Sequence, residues 1–174
     1  MAGRCGSSRT PPRLPQLLST FKDLDLQTRP AVIVLDAVQD PGNVGTLLRT
    51  AQGLGAAGVL ALPGTVELTN PKVIRGSMGA TFSLPALGVT VDELLLWSKE
   101  RKVPLLIAEA GGEPVGRKPV TKPVALVLGN EGGGVSPVIR DAGRAVAIPL
   151  TPGTESLNVA VAGAILLYEV LRER

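Results

Sequence analysis

From Ala31 onward, short β-branched apolar runs alternate with stretches whose apolar residues recur at helical spacing. "AVIVLDAV" (31–38) reads as a buried strand and "VGTLLRTAQGLGA" (44–56) as a helix ended by glycines. "GVLAL" (58–62) is a second strand, followed by a short helical candidate, "PKVIRGSMGA", and an extended "TFSLP". Thr90 opens a helix that runs through Arg101, because Glu93, three residues on, completes a capping box. "VPLLIAEA" (103–110) is a strand, "GGEPVGRKPVTKP" a loop, "VALVLG" (124–129) a strand, and Ser136 and Pro137 start a short helix. "AVAIPL" (145–150) is the last strand before an apolar closing helix. Strands separated by helices predict an α/β fold, a mainly parallel sheet covered on both faces. In such sheets ligands bind outside the carboxyl ends of the strands, which directs attention to three loops.

The first loop, "QDPGNVGTLLRTA", turns at Pro41 and Gly42, places Asn43 as a helix N-cap and sets Arg49 nearly two turns beyond it. Such a sequence fits a capped helix with a solvated arginine, and it equally fits an anion site at a helix start. The second, "LVLGNEGGGVS", follows Asn130 and Glu131 with three glycines in succession, either a surface turn or a backbone against which something lies. The third, "IPLTPGTESLNVAVA", brings Ser156 to the N-cap of the closing helix and Asn158 just inside it. An asparagine entering a buried helix needs partners for its amide, from a ligand or a neighbouring loop. The glycines of the first loop, Gly42 and Gly45, do not match G-x-G-x-x-G, and no Walker A lysine is present, which weakens a nucleotide-dependent oxidoreductase.

Composition narrows the chemistry. The 174 residues suit one domain, and the longest apolar stretch, Val159 to Leu167, is far short of a membrane span. A chain without histidine has no Ser-His-Asp triad and no histidine base. The single cysteine cannot form an internal disulfide, which fits the cytosol or an organelle matrix. The net charge of +3 resides wholly in residues 1–30, and the remainder carries 13 basic and 13 acidic residues, so global charge says little about nucleic acid. Residues 1–30, rich in Pro, Ser and Arg, read as a flexible basic extension or linker, with an organelle-targeting segment or the tail of a missing N-terminal domain as further readings. Residues 31–174 read as the folded domain.

In this order the segments "NVGTLLRTA", "NPKVIRGSMGATF", "LVLGNEGGGVS" and "IPLTPGTESLNVAVAGAILLYE" resemble the motifs of the SpoU (TrmH) family of RNA 2'-O-ribose methyltransferases, in the SPOUT superfamily. The resemblance covers about residues 30 to 171. It implies a parallel α/β sheet with a C-terminal deep trefoil knot, an exception to the rule that chains are unknotted. It implies S-adenosylmethionine bound in that knot, with Gly129, Ile148 and Leu157 at the cofactor positions, and a homodimer packed through the closing helix. It implies methyl transfer to a ribose 2'-hydroxyl of rRNA or tRNA, with Arg49 acting on the hydroxyl beside an RNA phosphate. Asn43, Glu131, Ser156 and Asn158 match the remaining characteristic positions, which place the ribose and the loops. Lys72 and Arg75 are candidates for phosphate contacts, with solvated surface as the other reading. Ala160 stands where the family often has serine, and many members carry an N-terminal RNA-binding domain that these residues do not supply. A second function class is an RNA-binding or ribosome-assembly factor that keeps the fold without catalysis.

Overall fold

The computed structural model describes residues 20–172. Six strands form one sheet: β1 (Ala31–Asp36), β2 (Gly58–Ala61), β3 (Ala86–Gly88), β4 (Leu105–Pro114), β5 (Val124–Gly129) and β6 (Arg144–Ala147). Their order is β3-β2-β1-β5-β4-β6, and every pairing is parallel. The helices are α1 (Pro41–Leu54), α2 (Pro71–Gly76), α3 (Val91–Arg101), α4 (Pro137–Arg140) and α5 (Val159–Arg172). Among the described residues, no helix is long and apolar enough to cross a membrane.

The central strands read as unbroken apolar runs because they are buried on both sides. Ile33, Leu35, Leu126 and Leu128 face α1 and α5, where they meet Leu47, Leu48, Leu166 and Leu167. Val32, Val34 and Val127 point the other way, toward Leu94 and Trp97 of α3 and Ile139 of α4. Two backbone approaches depend on glycine. A Cβ on Gly45 would lie 2.9 Å from the backbone of Gly76, so α1 and α2 cross at contact distance. A Cβ on Gly163 would lie 2.6 Å from methyls of Leu47 and Leu128, so α5 beds directly on β5 and α1.

Several expectations are corrected. The extension read as running to residue 30 stops sooner: Thr20 and Asp23 form a capping box on a 3-10 turn, Phe21 stacks on Trp97 and Leu24 is buried. Residues 1–19, which hold most of that extension and any targeting segment, lie outside the described residues. "TFSLP" is not a strand at its start, because Thr81 and Phe82 close a 3-10 turn and the strand begins at Ala86. Gly111 to Pro114, read as loop, extend β4. They do so across a bulge that includes Gly111 and Gly112: Ala108 and Glu113 both pair with Val146, and the residues between them swing out of the ladder. The last strand ends at Ala147, so Ile148 to Leu150 belong to the loop that follows. Thr90 and Glu93 form the expected capping box, with the Thr90 amide donating to Glu93 at 2.7 Å.

Candidate active site

The carboxyl ends of β1 and β5 are neighbours, with Asp36 in register opposite Gly129. The loops that leave them are tied together. Asn130 donates from Nδ2 to the Ala37 carbonyl (2.9 Å), and Ala37 takes a positive φ of 56°. The buried Asp36 carboxylate accepts from the Ser136 amide (2.7 Å), closing the far end of the glycine loop. Within that loop, Asn130 and Gly134 exchange both backbone bonds (3.1 and 2.8 Å), and Asn130 Oδ1 accepts from the Gly132 amide. A Cβ on Gly129 would collide with the Gly134–Val135 peptide, so the loop folds back flat against the end of its own strand.

Helix starts bring in the other side chains. Asp40 is the N-cap of α1, accepting from the Asn43 amide at 2.7 Å, with Pro41 opening the helix. Asn43, which the sequence suggests as the cap, is therefore the third residue of the first turn, with its side chain free to reach outward. At α5 the expected cap, Ser156, is two residues early. Asn158 takes that place, and its Oδ1 accepts from Ala160 (2.9 Å) and Val161 (3.3 Å). This cap fixes the orientation of the amide. Asn158 Nδ2 is left to donate to Asn43 Oδ1 (3.0 Å), and Asn43 Nδ2 in turn donates to Glu131 Oε1. Three loops separated in sequence thus meet in one directed array, Asn158 to Asn43 to Glu131.

Beside this array opens a cavity of about 910 Å³. Its wall includes Gly129 and Glu131 of the second loop, and Ile148, Ser156, Leu157 and Asn158 of the third. All three residues expected to hold a cofactor are therefore present. The size is that of a pocket for a cofactor-sized molecule. Its charge is uneven: Glu109, Glu131 and Glu155 line it against a single basic residue, Arg140. A wall with glycine backbone at Gly111, Gly112, Gly129 and Gly134, with a carboxylate excess, suits a flat heterocycle attached to a cationic centre.

Arg49 is not in this cavity. It lies on the exposed side of α1 and lines a shallower groove of about 730 Å³ with Thr46, Leu54, Ile165 and Tyr168. Lys72 and Arg75 are exposed on α2 and line neither space.

A model described as the SpoU rRNA Methylase family matches residues 30–168. The chain belongs to that family. This SpoU chain is 39% identical over 151 residues to the 23S rRNA (guanosine(2553)-2'-O)-methyltransferase RlmP of Bacillus subtilis, covering 83% of the chain and 59% of RlmP. It is 34% identical over 150 residues to the 23S rRNA (uridine(2479)-2'-O)-methyltransferase of Streptomyces viridochromogenes, covering 82% of the chain and 52% of that protein. The crystal structure of the SpoU methyltransferase AviRb from Streptomyces viridochromogenes, in complex with AdoMet, superposes with a TM-score of 0.81 at 30% identity, covering 88% of this chain and 64% of AviRb. The SpoU chain spans roughly half to three fifths of the length of the curated relatives it matches.

Sequence reasoning missed Asp40, although an Asp-Pro pair before a helical pattern is a cap signal in its own right. It also missed Glu109 and Arg140, which spacing along the chain does not connect.

Proposed function

We propose that the chain transfers a methyl group from S-adenosylmethionine to a ribose 2'-hydroxyl of RNA, ribosomal RNA being the substrate class that the named relatives favour. The observation that carries this reading is the Asn158–Asn43–Glu131 array at the rim of the cavity. It couples three of the four family segments at one point, and a noncatalytic scaffold has no need of such an array beside an open pocket.

Gly129, Ile148 and Leu157 would hold the cofactor, whose chemistry when bound is to offer a methyl group on a positively charged sulfur. The carboxylates of Glu109, Glu131 and Glu155 keep the cavity favourable to positive charge. A ribose hydroxyl is a weak acid, so its proton has to leave or be strongly polarised as the oxygen gains the methyl. Glu131 already accepts one hydrogen bond, from Asn43, and its orientation is set through Asn43 by the cap of α5. A guanidinium holds its proton at neutral pH, so the contribution of Arg49 is charge, applied to the hydroxyl together with an RNA phosphate. Lys72 and Arg75, exposed on α2, serve as further phosphate contacts.

In the same reading the chain forms a homodimer. Val161, Ile165 and Tyr168 leave an apolar stripe exposed on α5 beside Leu54, and a second copy is the occupant that buries it. Arg49 stands in the groove this contact would cover, so assembly governs which cavity it serves. The loop between β6 and α5 forms the knot of the SPOUT fold, and an RNA substrate sets the cytosol or an organelle matrix as the place of action.

The test is transfer of label from radioactive S-adenosylmethionine to unmodified rRNA and tRNA, followed by alkaline hydrolysis. Label in alkali-resistant dinucleotides is expected. Cofactor binding without any transfer would favour the RNA-binding reading. R49A should abolish transfer and leave cofactor binding unchanged, because Arg49 does not line the cavity. Unaltered turnover would remove it from the mechanism.

A further inference from the structure

The cavity wall contains one ion pair. Arg140, at the end of α4, places its Nε 3.1 Å from Glu109 Oε1, and its Nη2 donates to the Val135 carbonyl at 3.1 Å. Glu109 belongs to the bulge of β4, where the chain leaves the ladder between two residues that pair with the same Val146. Gly111 in that bulge has a φ of 84°, and a Cβ on Gly112 would lie 2.7 Å from the Val146 amide, so the excursion is tightly held rather than loose. Its effect is to set Glu109 in the wall of the pocket. The two bonds of Arg140 engage Nε and one hydrogen of Nη2. The remaining guanidinium hydrogens are available, and both side chains are partly solvated, at 43% and 31% exposure. A pair in that setting contributes little to stability, and its members exchange partners readily.

We infer that Arg140 and Glu109 together form the subsite for a zwitterionic amino-acid end of the ligand, Arg140 taking its carboxylate and Glu109 its ammonium group. The inference rests on the cofactor reading above and adds the orientation of that molecule in the cavity. Arg140 is the sole cation among the lining residues, so a carboxylate entering the pocket has no other charged partner there. Glu109 lies within one ion-pair distance of it, which matches the separation of the two charges on an α-amino acid. The same pair rejects ligands that present only a neutral group at this end, because their binding would desolvate both charges without replacing their partners.

The test is isothermal titration of the full chain with S-adenosylmethionine, decarboxylated S-adenosylmethionine and 5'-methylthioadenosine, which lacks the amino-acid end. The wild type is expected to bind the first tighter than the second by roughly ten- to hundredfold, the range of a charge-assisted hydrogen bond pair. R140M should lose that same factor for S-adenosylmethionine, show no further loss for the decarboxylated form, and bind 5'-methylthioadenosine as the wild type does. Unchanged 5'-methylthioadenosine affinity also shows that the variant is folded. E109Q should weaken both ligands that carry the ammonium group. If R140M weakens all three ligands equally, or still discriminates the carboxylate by the wild-type factor, the subsite is refuted and Arg140 only braces the glycine loop. If the wild type binds none of the three, the cofactor reading itself fails, a result distinct from the others.

Discussion

Gly129→Ala tests how tightly the second loop is built. The added Cβ would meet the Gly134 carbonyl and the Val135 nitrogen inside 3.0 Å, closer than real Cβ atoms are found, and both neighbours are backbone. β5 cannot yield, because it pairs along its length with β1 on one side and is held by β4 on the other. The loop must therefore retreat, by on the order of 1 Å, and the two backbone bonds between Asn130 and Gly134 go with it. Overpacking costs about 1–3 kcal/mol, and each of the two bonds contributes about 0.5–1.5 kcal/mol, for a total of roughly 2–6 kcal/mol. For a chain of this size that is a fall in Tm of about 4–24 °C. Because Asn130 and Glu131 move with the loop, cofactor affinity should fall as well. The control is Gly133→Ala four residues on, where a Cβ would meet nothing within 4 Å, and which should stay within about 0.5 kcal/mol of the wild type. Urea denaturation and calorimetric titration of both variants decide the matter. A Gly129→Ala protein with wild-type midpoint and affinity would show that the loop does not lie against the strand end.

Asn158→Ala removes the cap of α5 and should cost about 1–2 kcal/mol, whereas Asn158→Asp restores the cap but cannot donate to Asn43. The expected result is stability recovered by aspartate in urea melts with methyl transfer still lost, and recovery of both would dismiss the array. Glu93 accepts from the Thr90 amide and, less strongly, its hydroxyl, which hold its pKa below the ordinary 4.5. Its stabilising effect is complete above the unfolded pKa and disappears as pH falls through the lowered folded value, so E93Q should flatten the acid limb of stability below about pH 4.5. Urea midpoints from about pH 3 to 7 would show it, and identical acid limbs would deny it. If the chain dimerises as proposed, Ile165→Asp should leave a folded monomer in light scattering, since Ile165 is 38% exposed in the single chain. A wild-type monomer at working concentration would end the dimer reading.

The parts of the fold that show in the sequence are those where burial dominates. β5 coincides with its apolar run, and β1 fills most of its own, because residues enclosed on both faces leave a continuous signal. The end of β4 is illegible because "GGEP" has neither alternation nor apolar character, and it is a strand through pairing with β6 across the bulge. β3 has three residues at an edge, too few for a period. Both misplaced caps arose from choosing a residue by type. Asp40 precedes Pro41, and Asn158 precedes the first buried turn, and those local contexts decide the geometry. The strand-end rule singles out the three loops and their polar residues, but that these residues form one site comes only from the resemblance, since Asn43 and Glu131 stand 88 positions apart and nothing in their spacing announces a contact.

That separation sets a timetable for synthesis. The bond from Asn158 to Asn43 spans 115 residues, and at the usual 5–20 residues per second the ribosome takes roughly 6–23 s to pass from one to the other. Throughout that interval β1 and α1 exist without α5, the helix that covers them, and until Gly129 is made β1 also lacks β5, so the cavity has no wall from the third loop. Competence to bind arrives in a single late step, when the last helix leaves the ribosome and beds onto Leu47 and Leu128 through Gly163. A chain interrupted before that helix is therefore not a weakened version of the protein but a sticky intermediate without a pocket, of the kind that chaperones and proteases clear.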